Sequence, residues 1–258
     1  MAMWSNQVAS TMNRTNHIGR PNETIETLTP AEPCPYLSDR LWRLSVVERR
    51  HYTPRDYANY LANGYRRSGD FLYQTACPTC QACIPCRICI DDVKLRRRHR
   101  RILKKNTELK IEVRTPFVDL KLVGLYEQYI SLRHRDGAMY PPNINHFLAF
   151  AESSWATTRF LCGFLRGELV AVAVTDLAER CLSAVYTFFS PFLPERSLGV
   201  WAILQQIELA RDFNAEHLYL GFWLRNCKKM AYKTNFPGCQ LFDRQSGWLS
   251  VDKFLPND

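Results

Sequence analysis

The stretch from Arg180 to Phe213 (RCLSAVYTFFSPFLPERSLGVWAILQQIELARDF) constrains the fold most, because three different backbone states follow one another without a spacer. Val185, Tyr186, Thr187, Phe188 and Phe189 are β-branched or aromatic and predict a strand. Pro191 and Pro194 end strand pairing and predict a turn. From Leu198 the period changes: Val200, Ile203, Ile207 and Ala210, with Leu204 beside them, give one apolar helix face. The predicted helix opens on Arg196, Ser197 and Gly199. Ser197 is a candidate cap, Gly199 would let a ligand approach the backbone, and a helix start offers unpaired amides, so the junction reads as a phosphate cradle. An ordinary capped helix start is the competing description.

Bulk properties narrow the function. The chain has 258 residues, 46% of them hydrophobic, which is enough for a real core, and a formal net charge of +9 that favours a polyanionic partner. No window reaches the roughly 20 apolar residues of a membrane span and no apolar signal core opens the chain, which points to a cytoplasmic protein. Ten cysteines without a secretory signal suggest reduced thiols or a metal site, not a disulfide scaffold.

In chain order, residues 1–30 are polar and aperiodic and read as a flexible tail. A Cys-rich N-terminal α+β domain is expected over 31–108. Thr53-Pro54 predicts a helix entry and Asn63-Gly64 its end. Tyr65-Arg66-Arg67-Ser68-Gly69 reads as a turn into the Phe71–Tyr73 strand. Cys77, Cys80, Cys83 and Cys86 then stand three residues apart, with Cys89 three further and Cys34 far upstream, a spacing suited to a zinc ion or an iron–sulfur cluster and equally to buried thiols. Lys94–Lys105 packs Lys94, Arg96, Arg97, Arg98, Arg100, Arg101, Lys104 and Lys105 into one run, which predicts phosphate contacts. Over 109–258 we expect a second domain: a short strand at 110–113, a helix over 117–133, a loop carrying His134, Asp136 and Gly137, a helix near 145–150, and a hairpin at 160–175 turning on Arg166-Gly167-Glu168. The strand–turn–helix stretch follows, then a strand at 217–222.

Several ordered blocks carry a resemblance: Cys34-Pro35-Tyr36-Leu37, GYRRSG at 64–69, the cysteines from Cys77 to Cys83, Lys104-Lys105-Asn106, Arg133-His134 with Asp136-Gly137, YTFFSPFLPERSLG at 186–199, YLGFW at 219–223 and CKKMAYKTNF at 227–236. From Cys34 to Pro237 the chain resembles the bacterial aspartate/glutamate leucyltransferases, relatives of the eukaryotic arginyl-tRNA–protein transferases. Cys86 and Cys89 extend the cysteine run beyond the family's usual pattern. The resemblance implies a GNAT-like C-terminal fold, an α/β (α+β) architecture whose mixed, mainly antiparallel sheet is flanked by helices. It also implies transfer of leucine from Leu-tRNA to proteins with N-terminal Asp or Glu, marking them for degradation.

That activity needs a phosphate cradle, an apolar aminoacyl pocket, oxyanion donors and cations for an acidic residue. The candidates are Arg196, Ser197 and Gly199 for the cradle, with Arg100, Arg101 and Lys104 further along the tRNA. Arg66 and Arg67, then Lys229 and Lys233, would face the acidic N-terminus, surface salt bridges being their ordinary alternative. Tyr219 and Trp223 would line the pocket, Tyr186 and Tyr232 would donate to the ester, and His134 would accept the ammonium proton. Cys34, Cys77, Cys80 and Cys83 would support the site, with or without metal; no cofactor is required. An arginyl transferase, a coenzyme A-dependent acetyltransferase and a non-catalytic RNA-binding protein are the competing readings.

Overall fold

The computed structural model describes residues 24–49, 51–137 and 139–255. Its elements begin with β1 (Ile25–Leu28), β2 (Glu32–Pro33), β3 (Leu41–Trp42), β4 (Leu44–Glu48), α1 (Pro54–Ala62), β5 (Arg66–Ser68), β6 (Phe71–Thr75) and β7 (Ile84–Cys89). Next come α2 (Arg97–Lys105), β8 (Lys110–Arg114), α3 (Leu120–Arg133), α4 (Ile144–Ala151), β9 (Thr157–Leu165), β10 (Glu168–Ala178) and β11 (Cys181–Phe189). A 3-10 turn at Pro194–Arg196 leads to α5 (Leu198–Asp212), β12 (His217–Trp223) and the single turn α6 (Lys228–Ala231); β13 (Cys239–Asp243), β14 (Gly247–Ser250) and α7 (Val251–Phe254) close the described chain.

Eight strands form one sheet in the order β14-β13-β7-β12-β11-β10-β9-β8, and four form a second in the order β1-β4-β6-β5. Within the large sheet every pairing is antiparallel except β11 with β12. That mixed, mainly antiparallel α+β architecture matches the expectation. Helix α5 buries Trp201, Leu204, Ile207 and Ala210 on one face of the sheet, where they meet Leu161, Ala171, Ala173, Leu218 and Leu220. Truncating a fully buried Trp201 to Ala would cost about 3–5 kcal/mol. On the opposite side of β9–β11, α3 and α4 supply Leu122, Tyr126, Ile130, Phe147 and Phe150 to a second core.

The local signals worked as chemistry predicts. Thr53 and Asp56 form a reciprocal capping box at the start of α1, with Pro54 at the first helical position. Helix α3 begins at Leu120, three residues later than expected, because the Asp119 carboxylate caps it by accepting the Leu122 amide at 2.8 Å. The structure adds three details to these expectations. The tail expected through residue 30 contains β1, whose Ile25–Leu28 pair with Ser45–Glu48; the rest of that prediction lies outside the described residues. Residues 84–89 form a strand between β12 and β13, so the expected boundary at 108/109 does not separate two sheets. Within β7, Cys86 and Ile88 alternate inward at 1% and 0% exposure, a strand pattern masked by the three-residue cysteine spacing.

Candidate functional site

Strands β11 and β12 are in register only at Cys181–Ser183 against His217–Tyr219; beyond that point each continues without pairing to the other. Arg66 occupies the place where they part. Its guanidinium donates to the Ala184 carbonyl of β11 at 2.6 Å and reaches toward the Tyr219 carbonyl of β12 at 3.5 Å. Gly221 lies against the same guanidinium and is required by its backbone, which sits at φ +83°. Nε itself has no partner, although Arg66 is 4% exposed. A buried donor left free where two strands part is a costly arrangement that an incoming acceptor would relieve.

On the β11 side of the opening, Tyr129 of α3 contacts three neighbours, with ring centroids 5.0 Å from Phe189, 4.9 Å from His134 and 6.5 Å from Tyr186. The Tyr186 hydroxyl donates to Met139 Sδ at 3.2 Å, a weak acceptor that leaves this donor easy to redirect. His134 caps the end of α3, and burial, then Lys229 and Arg133, lower its pKa to about 4, so its ring is neutral near pH 7. On the β12 side, Lys233 donates to the Phe222 carbonyl at 2.6 Å, and its ammonium pKa is lowered, chiefly by burial. Tyr232 packs against the main core and against Phe236, with ring centroids 6.3 Å apart, and burial pushes its phenol pKa up. Lys229 pairs with Asp136 at 3.1 Å, tying the start of α6 to the His134 loop. His134 and Tyr186, far apart in sequence, are therefore gathered around Tyr129.

Other candidates land elsewhere. Arg67 points away from Arg66 into a closed site: its guanidinium pairs with Asp176 at 2.6 Å, both side chains fully buried, and it donates to the carbonyls of Gly69, Phe150, Ala151 and Glu152. An internal acid holds the place expected for a substrate acid. Tyr219 and Trp223 do not face one pocket. Tyr219 packs against Trp248 and accepts from Arg87 at 3.2 Å, whereas Trp223 lies in the α5 core and donates to the Ala231 carbonyl at 3.2 Å. The bulge between Tyr219 and Gly221 shifts the alternation along β12 and separates them.

At the helix start, Ser197 stands in the left-handed region at φ 51° and makes no side-chain cap. Gly199 serves packing, since a Cβ there would lie 2.9 Å from the Phe189 ring. The cradle nevertheless faces outward: Ser197 is exposed and Arg196 half-buried. Arg196 is also bound to the basic run. Asn106 Nδ2 donates to the Arg196 carbonyl at 2.9 Å, and Arg196 Nη1 donates to the Lys105 carbonyl at 3.2 Å. Arg100, Arg101 and Lys104 are exposed on α2. That helix has no side-chain cap and no acid in its first turn, which carries Arg97, Arg98 and Arg100 against the positive end of its dipole. Such placement weakens a free helix and suits one that meets a polyanion.

Cys34, Cys77, Cys80 and Cys83 line one pocket with Tyr36 and Trp42, while Cys86 lies in the main core. Burial, then Cys77, Cys34 and Cys80, push the Cys83 thiol up to about 12. Among the described residues all ten cysteines are free thiols, and no three Cys, His, Asp or Glu side chains are arranged to hold a metal ion.

The chain matches the family described as arginine-tRNA-protein transferase in two blocks, the N terminus over residues 32–101 and the C terminus over 121–243. It is 46% identical over 231 residues to the aspartate/glutamate leucyltransferase of Alcanivorax borkumensis, covering 89% of this chain and 94% of that one. The chain belongs to the aminoacyl-tRNA–protein transferase family. Similar relatives in Hahella chejuensis (39% over 224 residues, 86% of this chain and 95% of that one) and Pseudoalteromonas atlantica (41% over 221, likewise 86% and 95%) carry the same description. The parting of β11 and β12 and the His134 loop lie within the matched C-terminal block, and Arg66 lies within the N-terminal one.

Sequence reasoning missed Tyr129, Met139 and Phe189 as site-lining residues, because each satisfies an apolar helix or strand pattern. It also missed Asp176, whose signal was present: one acid inside the apolar run LVAVAVTDLA has to be paired if that strand is buried.

Proposed function

We propose that the protein transfers leucine from Leu-tRNA to the α-amino group of proteins beginning with Asp or Glu, marking them for degradation. The observation that carries this reading is the joining of the basic helix α2 to the Arg196 turn, next to the β11 end that leads into the His134–Tyr129–Tyr186 cluster. Cations hold the tRNA backbone on the outside, and the ester at its 3′ end reaches the opening between the strands.

In the reaction the amine nitrogen attacks the ester carbonyl, a C–N bond forms, the ester C–O bond breaks and the 3′ ribose hydroxyl leaves with a proton. The ester is already activated, and an α-amino group with a pKa of about 7.7–8 is partly neutral near pH 7. Proximity therefore supplies most of the acceleration. Neutral His134 accepts a hydrogen bond from the attacking amine and takes its proton as the tetrahedral adduct forms. Tyr186 and Tyr232 are the oxyanion donors, Tyr186 turning from the Met139 thioether to a stronger acceptor. Arg66 Nε offers its free N–H to the acidic side chain, and Lys229 exchanges its exposed bridge to Asp136 for the same carboxylate.

The parting of β11 and β12 supports a GNAT-like assignment for the large unit, and use of aminoacyl-tRNA supports a cytoplasmic location; among the described residues no helix is long and apolar enough to cross a membrane. Arginine is a less suitable cargo, because the cations Arg66, Lys229 and Lys233 stand around the parting of β11 and β12. Coenzyme A would leave the eight-cation run unexplained. The four pocket thiols have the chemistry of soft-metal ligands, yet as placed they do not enclose an ion, and the steps above need none. Mass spectrometry of an Asp-starting peptide incubated separately with Leu-tRNA and Arg-tRNA tests the reading: a leucyl increment is expected, and its absence overturns the assignment.

A further inference from the structure

Phe192 is the aromatic that this surface holds out to solvent. It is 65% exposed, against 42% for Tyr140 and 52% for Phe213. Lone exposed aromatics are common. This one differs in how firmly its backbone is held and in what stands beside it. Pro191 and Pro194 restrict the turn. On one side the Ser190 amide donates to the Val170 carbonyl at 2.8 Å; on the other Leu193 packs against the main core and its carbonyl accepts the Arg196 amide at 3.1 Å. The backbone that carries the ring is therefore held at both ends of the loop.

The same loop is bound to the cationic helix through the Asn106–Arg196 and Arg196–Lys105 hydrogen bonds. An exposed ring on a loop tied to a row of cations offers the pairing by which proteins grip unpaired nucleic acid: cations track phosphates and the ring stacks on a base. Only three residues back along the chain, Phe189 packs on Tyr129, which touches His134. The loop thus joins the cationic surface to the reacting centre, the path an acceptor end must follow.

We propose that Phe192 is a stacking platform for an unpaired nucleobase at the 3′ end of the bound tRNA. This rests on the aminoacyl-tRNA reading above, and its test has an arm independent of transfer. In the activity arm, Phe192→Ala raises KM for Leu-tRNA by roughly 10- to 100-fold, the worth of one stacked base, leaving KM for the Asp-starting peptide unchanged, while Phe192→Tyr retains wild-type values. In the binding arm, Phe192→Trp reports by indole fluorescence: uncharged tRNA and a cytidylyl-cytidylyl-adenosine trinucleotide quench it, and a blunt RNA duplex does not. Quenching by the duplex as strongly as by the trinucleotide, or an Ala variant with wild-type KM for Leu-tRNA, overturns the proposal. A rise confined to the KM of the protein acceptor would assign the ring to a polypeptide partner and also overturn it. If the wild-type protein transfers no leucine while the trinucleotide still quenches the Trp variant, the activity reading has failed and the stacking platform stands.

Discussion

Arg67 Nε lies 2.6 Å from Asp176 Oδ2, and neither side chain touches water. The two residues join the small sheet to the middle of the large one, and Tyr57 and Thr158 complete the carboxylate by donating at 2.8 and 2.7 Å. Desolvation opposes the charge on Arg67, but Asp176 outweighs it and holds the guanidinium pKa above its usual value. Arg67→Met leaves Asp176 charged and buried and should cost about 3–5 kcal/mol in urea unfolding. Adding Asp176→Leu to that variant should restore part of the loss. Wild-type stability in Arg67→Met alone would show that the pair is not a lock.

Its neighbour Arg66 has the opposite expectation. Arg66→Met removes the donor at the parting of β11 and β12 and should lower kcat/KM toward Asp-starting peptides by about 10²-fold or more, with far-UV circular dichroism unchanged. Arg66→Lys should recover little, because an ammonium cannot span the Ala184 and Tyr219 carbonyls as a fork does. A full rate in either variant would make Arg66 a strut between strands and nothing more.

Replacing Arg100, Arg101 and Lys104 together by Ala should weaken tRNA binding and reduce the slope of log K against log salt by about 2–3, close to one unit per lost phosphate contact. The three side chains are exposed, so thermal stability should hardly change. Equal affinity and equal slope would place the tRNA elsewhere.

Burial lowers the pKa of His134 and His217 from 6.5 to about 4. Between those values the unfolded chain binds more protons than the folded one, so their contribution is complete above about pH 6.5 and lost as pH falls toward 4. Thermal melts should therefore decline across this window, and the His134→Gln, His217→Gln double variant should decline less. Because His134 stays neutral, the acid limb of the transfer rate should follow the substrate amine near pH 7.7–8, roughly, and not an imidazole; a limb centred near 6.5 would contradict that.

The sequence by itself determined what depends on nearest neighbours and period. The Thr53–Asp56 cap, the β9–β10 hairpin, the strand–turn–helix from Cys181 to Asp212 and the cationic helix all follow from local propensity and amphipathic spacing, and the ordered motifs were enough to name the family. Tertiary structure decided what depends on partners far along the chain. Arg66 and Arg67 are adjacent and chemically identical, yet opposite sides of β5 send one to an opening between strands and the other to a buried carboxylate 109 residues away. Likewise β7 is a strand because β12 and β13 offer it two edges, and Gly199 is required because Phe189 lies against it. Local sequence carries backbone preference; it carries no information on which side chain will be opposite once two sheets close on each other.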